Sequence, residues 1–76
     1  MEKERIFVCS RRGQNKGRLV LEGEKFGSIW VFWPYGEGRL IPEKTIEIRD
    51  GSVLKDYLKR LEKYYSVIHQ KYEIKK

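Results

Sequence analysis

The chain predicts an α+β fold: a small five-stranded antiparallel sheet or SH3-like barrel, followed by one C-terminal amphipathic helix. Three observations carry this. Short apolar runs recur between turns marked by glycine or proline, Thr45 to Arg49 alternates cleanly, and from Leu54 onward apolar residues return at steps of three and four. The 76 residues suffice for a single domain, with a β-rich body at 4–50 and the helix at 52–72. A domain this small buries a modest fraction of its surface, which disfavours a large enclosed active site.

Each element has its own signal. Ile6-Phe7-Val8-Cys9 and Leu19-Val20-Leu21 read as the two arms of a hairpin with a long tip. Glu22 to Gly27 punctuates the chain, and Ser28-Ile29-Trp30-Val31-Phe32-Trp33 follows as an unbroken apolar strand. Pro34-Tyr35-Gly36-Glu37-Gly38 turns, Arg39-Leu40-Ile41 pairs back, and Pro42 is expected to end that strand or bend it at an edge. In Thr45-Ile46-Glu47-Ile48-Arg49, Ile46 and Ile48 point inward and Glu47 outward. Ser52 is the expected N-cap of the helix, and Asp56 suits the positive end of its dipole. Leu54, Tyr57, Leu58, Leu61, Tyr64, Tyr65, Ile68 and Tyr72 then form one apolar stripe, and the spacing of Asp56 and Arg60 allows a supporting ion pair.

Charge is distributed unevenly. The net charge is +6, yet Arg5 to Val20 contributes plus five and Gly51 to Lys76 plus four, while Leu21 to Asp50 is net negative. Two basic segments flank a middle that is not basic, which argues for a positive face rather than a uniformly cationic surface. Cys9 is the single cysteine, so neither an internal disulfide nor a cysteine-rich metal site forms, and a reducing, cytoplasmic setting is expected. Met-Glu-Lys-Glu-Arg lacks a long apolar core and no apolar run approaches membrane-spanning length, so neither a signal peptide nor a membrane partner is expected. Alanine is absent, Asn and Gln are scarce, and Lys and Glu abound, a balance typical of thermophile proteins that a small biased viral genome also produces.

The basic loop Ser10-Arg11-Arg12-Gly13-Gln14-Asn15-Lys16-Gly17, with Arg18 beside it, is the first candidate site. Arginine offers forked donors that match phosphate, and flanking glycines let the backbone approach closely, so Arg11, Arg12, Lys16 and Arg18 are expected to contact a polyanion. A solvated hairpin tip is the plainer alternative. Trp33 and Tyr35, beside a Pro-Gly turn, are the expected exposed aromatics and supply a groove or stacking contact. Alternation puts Trp30 and Phe32 on one face of the strand and Ile29, Val31 and Trp33 on the other; Ile29, Val31 and one parity of the aromatics are expected to be core, with the choice of exposed aromatic face left open. On the helix, Tyr65, Ile68 and Tyr72 overhang what a sheet of this size covers, which marks a surface for a protein partner or a homodimer through the helix.

Catalysis has little to draw on. His69 is the sole histidine and falls on the polar side of the predicted helix with no carboxylate to orient it. Ser10 and Ser28 lack an adjacent base, Cys9 lies inside a strand, and Glu43 and Glu47 read as outward edge charges. The glycines match neither a Walker loop nor a dinucleotide fingerprint, so neither an enzyme nor a cofactor is expected.

In length, charge, strand-rich body and terminal helix the chain resembles in architecture the small basic chromatin proteins of thermophilic archaea, which lay a twisted sheet on the DNA minor groove. No residue motif is shared, and no site is carried over. The expected function is non-enzymatic nucleic-acid binding, DNA favoured over RNA, of double strands with weak sequence dependence. The alternative is a small accessory subunit docked on a larger protein of a nucleoprotein machine, such as a polymerase or ribosome, or a viral inhibitor of one.

Overall fold

Side chains alternate along a strand, so the register of each strand pair decides which residues share a face. The computed structural model describes residues 2–73. It contains β1 (Glu2–Ser10), a single 3-10 turn (Gly13–Asn15), β2 (Leu19–Phe26), β3 (Ile29–Pro34), β4 (Ile46–Ile48), α1 (Gly51–Glu62) and β5 (Tyr65–Glu73). The strands form one antiparallel sheet in the order β4-β3-β2-β1-β5. This is the expected α+β arrangement, as an open sheet: the outer strands β4 and β5 do not pair with each other.

Registers Val8↔Leu21, Ile6↔Gly23, Gly23↔Phe32 and Trp30↔Ile48 stack these residues on one face, with Val67 joining opposite Val8. α1 covers that face with Tyr57 and Leu61, supported by Leu54 and Leu58. Ile6, Val8, Leu21, Phe32 and Leu61 are fully enclosed. Burying side chains of this size contributes roughly 1.5–3 kcal/mol each, which is why so small a sheet needs the helix. Gly23 lies directly beneath Phe32, where any Cβ would collide with the ring. The sheet curls over this gap enough for Trp30 of β3 and His69 of β5 to meet edge to face, 5.6 Å between ring centres, across two intervening strands.

The structure corrects the expected helix at both ends. Asp50, rather than Ser52, is the N-cap: its Oδ1 accepts from the Ser52 amide at 2.8 Å and the Ser52 hydroxyl at 2.7 Å. These hydrogen bonds hold the Asp50 carboxyl below its ordinary range. The helix stops at Glu62 instead of continuing to residue 72, closing with the short bonds Lys63 N to Arg60 O and Tyr64 N to Leu61 O. Residues 65–73 become β5, paired residue for residue along β1. Tyr65-Ser66-Val67-Ile68 is rich in aromatic and β-branched side chains, and without this strand the β1 main chain beside Ile6 and Val8 would lack partners.

Tyr65, Ile68 and Tyr72 therefore do not form a helical stripe. Tyr65 faces the helix side, Ile68 and Tyr72 face the other, and a homodimer through the helix loses the residues assigned to it. Arg39-Leu40-Ile41 is likewise no strand. Leu40 takes a left-handed φ of 67°, and the Ile41 amide closes a turn onto Gly38 O at 3.1 Å. The Asp56 and Arg60 pair forms as expected, at 3.7 Å.

Among the described residues nothing covers the face of the sheet opposite α1. Phe7, Ile29, Val31 and Trp33 lie there half-buried, with Phe26, Ile68 and Tyr72 more exposed. Glu24 crosses the middle of this face and accepts from Arg5 at 3.0 Å, with Lys3 at 3.6 Å. That hydrogen bond raises the Arg5 pKa and keeps the guanidinium charged.

Candidate functional site

The hairpin tip between β1 and β2 is held by its own main chain. Ser10 N donates to Arg18 O at 2.9 Å, Gly17 N to Ser10 O at 2.7 Å, and Arg18 N to Asn15 O at 2.9 Å. This tight path takes Gly13 to φ 74° and Gly17 to φ 87°, left-handed angles that a side chain would oppose. Arg12, Lys16 and Arg18 are exposed, and among the described residues none of the three side chains has a hydrogen-bond or ion-pair partner.

Arg11 behaves differently. Its Nη2 donates to the Lys63 carbonyl at 2.5 Å, just beyond the last turn of α1. A cation at that position satisfies a carbonyl that the helix leaves free and complements the negative end of its dipole. The bond also joins the two basic segments of the sequence, because it sets the tip against the turn that carries Lys63, with Lys59 and Arg60 in the last helical turn. Arg39 arrives from the β3–β4 loop, its guanidinium carbon 4.8 Å from the centre of the Tyr64 ring. Strand direction explains the gathering: β1 ends, β2 begins, β3 ends and β5 begins at this one end of the sheet.

The aromatic pair stands at the same end. Trp33 Nε1 donates to the Tyr35 hydroxyl at 2.5 Å, and the Tyr35 amide donates to Val20 O at 2.9 Å. Trp33 is half-buried on the uncovered face, while Tyr35 is 50% exposed. One open concavity beside the tip is lined by Asn15, Arg18, Glu37 and Tyr65, and another by Cys9, Arg11, Lys16 and Ile68. Arg11, Arg12, Lys16, Arg18, Trp33, Tyr35, Tyr65 and Ile68 are thus brought to one end. Tyr72 is not, since it pairs with Lys3 at the far end of β5.

Arg39 escaped the sequence reading because it sits in the net-negative middle of the chain, and no local signal marks it. His69 is corrected as well. It lies on β5 with a carboxylate beside it, Nε2 3.1 Å from Glu4 Oε1. Lys25 donates to the other Glu4 oxygen at 2.9 Å, and Lys71 stands 3.7 Å away. The hydrogen bond from Lys25, with help from His69, holds the Glu4 carboxyl below its ordinary range against the opposing effect of burial.

Among the described residues no helix is long and apolar enough to cross a membrane. Compared with known proteins, the chain matches no family model, no curated protein and no solved structure.

Proposed function

We infer that this chain is a non-enzymatic nucleic-acid-binding protein that takes double-stranded DNA in preference to RNA, with weak sequence dependence, in the cytoplasm. The observation that supports this reading is the tip itself: Arg12, Lys16 and Arg18 stand exposed and unpaired among the described residues, on a loop whose main chain is hydrogen-bonded to itself. Cations presented on a braced loop meet the phosphates of a duplex, which carries about one charge per 1.7 Å of axis. Such contacts position the protein and read no bases, so sequence dependence is weak. Trp33 and Tyr35 add an aromatic surface at the same end, and Arg39 and Lys63 extend its positive field.

The test is a salt-dependent titration against duplex DNA, single strands and structured RNA, repeated with Arg12→Ala, Lys16→Ala and Arg18→Ala combined. Wild type binds duplex DNA most tightly, and the salt slope of the triple variant falls by about 2.7, three phosphates at about 0.9 each. Circular dichroism establishes that the variant remains folded. Affinity indifferent to salt, or an unchanged slope in the triple variant, overturns the reading.

A second reading, an accessory subunit docked on a larger nucleoprotein machine or an inhibitor of one, draws on the half-buried Phe7, Val31 and Trp33 of the uncovered face. It predicts no mobility shift by the isolated chain on any of the three nucleic acids.

A further inference from the structure

The two edges of the sheet are finished differently. β4 is three residues long and leads almost at once into α1, so it offers little main chain to another strand. β5 is nine residues long, pairs with β1 from Glu2↔Glu73 to Ser10↔Tyr65 without a bulge, and contains neither proline nor glycine. Its other side pairs with no strand among the described residues, and Ser66 and every residue from Ile68 to Glu73 are exposed. A long edge with unpaired donors and acceptors is a template for one more strand, and apart from the charges of Lys71 and Glu73 this one lacks the usual devices that block pairing.

The side-chain pattern indicates which strand fits. Ser66, Ile68, Gln70 and Tyr72 face away from the helix. A two-fold axis perpendicular to the sheet keeps faces together, so a second copy of β5 pairs antiparallel about a single residue. Centred on Gln70, the pairing sets Ile68 of each copy against Tyr72 of the other. These are the exposed large hydrophobics of the strand, at 48% and 40%. On the helix side His69 meets Lys71 of the second copy, and in each copy Glu4 already lies against both side chains, at 3.1 and 3.7 Å. Centring on His69 instead would oppose Ile68 to Gln70 and Tyr72 to Ser66, and both apolar contacts would be lost.

From this self-complementarity we propose that β5 is the interface of a homodimer, two copies joined antiparallel about Gln70 into one continuous sheet. The dimer is independent of nucleic-acid binding, and its test is run with the full chain alone. Sedimentation over a range of concentrations gives a mass rising from 9.2 kDa toward twice that value. Ile68→Lys weakens association about tenfold, because one substitution removes two symmetry-related contacts. Register is read by disulfide trapping in a Cys9→Ser background. Gln70→Cys crosslinks readily under mild oxidation, whereas Glu47→Cys, exposed on the opposite edge, does not. A chain that stays monomeric at every concentration overturns the proposal and leaves the edge to a strand of another protein. Equal crosslinking of the two cysteine variants overturns it too.

Discussion

The Tyr57 hydroxyl donates a 2.7 Å hydrogen bond to the carbonyl of Leu40, and Leu40 is a non-glycine residue whose φ, at 67°, lies in the left-handed region. A left-handed leucine costs roughly 1–2 kcal/mol, so the loop between β3 and β4 holds this turn only while something anchors it. Tyr57 is that anchor. Its ring packs edge to face on Phe32, 5.9 Å between centres, while its hydroxyl reaches past the core to the loop. Tyr57→Phe keeps the packing and removes the hydroxyl, leaving the carbonyl without its donor. The expected cost is about 1 kcal/mol in denaturant unfolding. Burial raises the Tyr57 pKa above its ordinary 10.0, so the native state favours the neutral phenol. That contribution is complete below the unfolded pKa and fades as pH rises through the folded one. The advantage of wild type over Tyr57→Phe therefore shrinks in strong alkali, and an advantage that grew there would refute the anchor.

How much of this was legible beforehand depended on where the signals were local. The hairpin, the strand through Trp30 and Phe32, the alternation at Ile46 and Ile48, and the start of the helix near residue 51 all follow from neighbouring residues. The end of the helix does not. No glycine marks it, Lys63 keeps a right-handed helical conformation, and the four-residue step from Ile68 to Tyr72 is equally one helical turn and two strand repeats. Long-range demand decided between them, since β1 needed a partner on its outer side. In the same way the basic tip was visible in the sequence, but its tie through Arg11 to Lys63 spans 52 residues and leaves no local trace.

Gly23 is a packing requirement that composition alone would pass over. The space above it in the middle of β2 is filled by the Phe32 ring of the neighbouring strand, which is fully buried. Gly23→Ala is expected to destabilise the fold by about 1–3 kcal/mol, the usual cost of overpacking. Pairing it with Phe32→Leu should recover part of that loss, since a smaller side chain vacates the contested space. Thermal melts of the two single variants and the double variant measure this coupling, and simple additivity would show that the clash is not the cause.

Glu4 links β1 to both of its neighbours, through Lys25 on β2 and through His69 and Lys71 on β5. Its pKa is lowered from the ordinary 4.5, so the folded state binds its proton less readily than the unfolded state. Stability from this carboxylate is present above the unfolded pKa and is lost as pH falls through the lower folded value. Glu4→Gln mimics the protonated side chain. Melting temperatures followed from about pH 6 to about pH 2 should fall more steeply for wild type than for the variant and converge in acid. Parallel curves would mean that the ion cluster contributes nothing.

Arg11 and Arg12 are adjacent in sequence, yet the structure places their side chains differently. Among the described residues the exposed Arg12 side chain has no partner, whereas Arg11 has a donor committed to the Lys63 carbonyl. Neutralising a phosphate contact lowers the salt slope of binding by about 0.9, but removing a brace leaves the count of phosphates as it was. Arg12→Ala is therefore expected to reduce the slope by about that amount. Arg11→Ala should leave the slope near that of wild type while weakening binding at every salt concentration, because the tip no longer rests on the helix end. Amide exchange supplies a readout that needs no nucleic acid. In Arg11→Ala the amides of Lys63, Tyr64 and the tip exchange faster, and in Arg12→Ala they do not. Equal slopes and equal exchange in the two variants would remove the distinction between contact and brace.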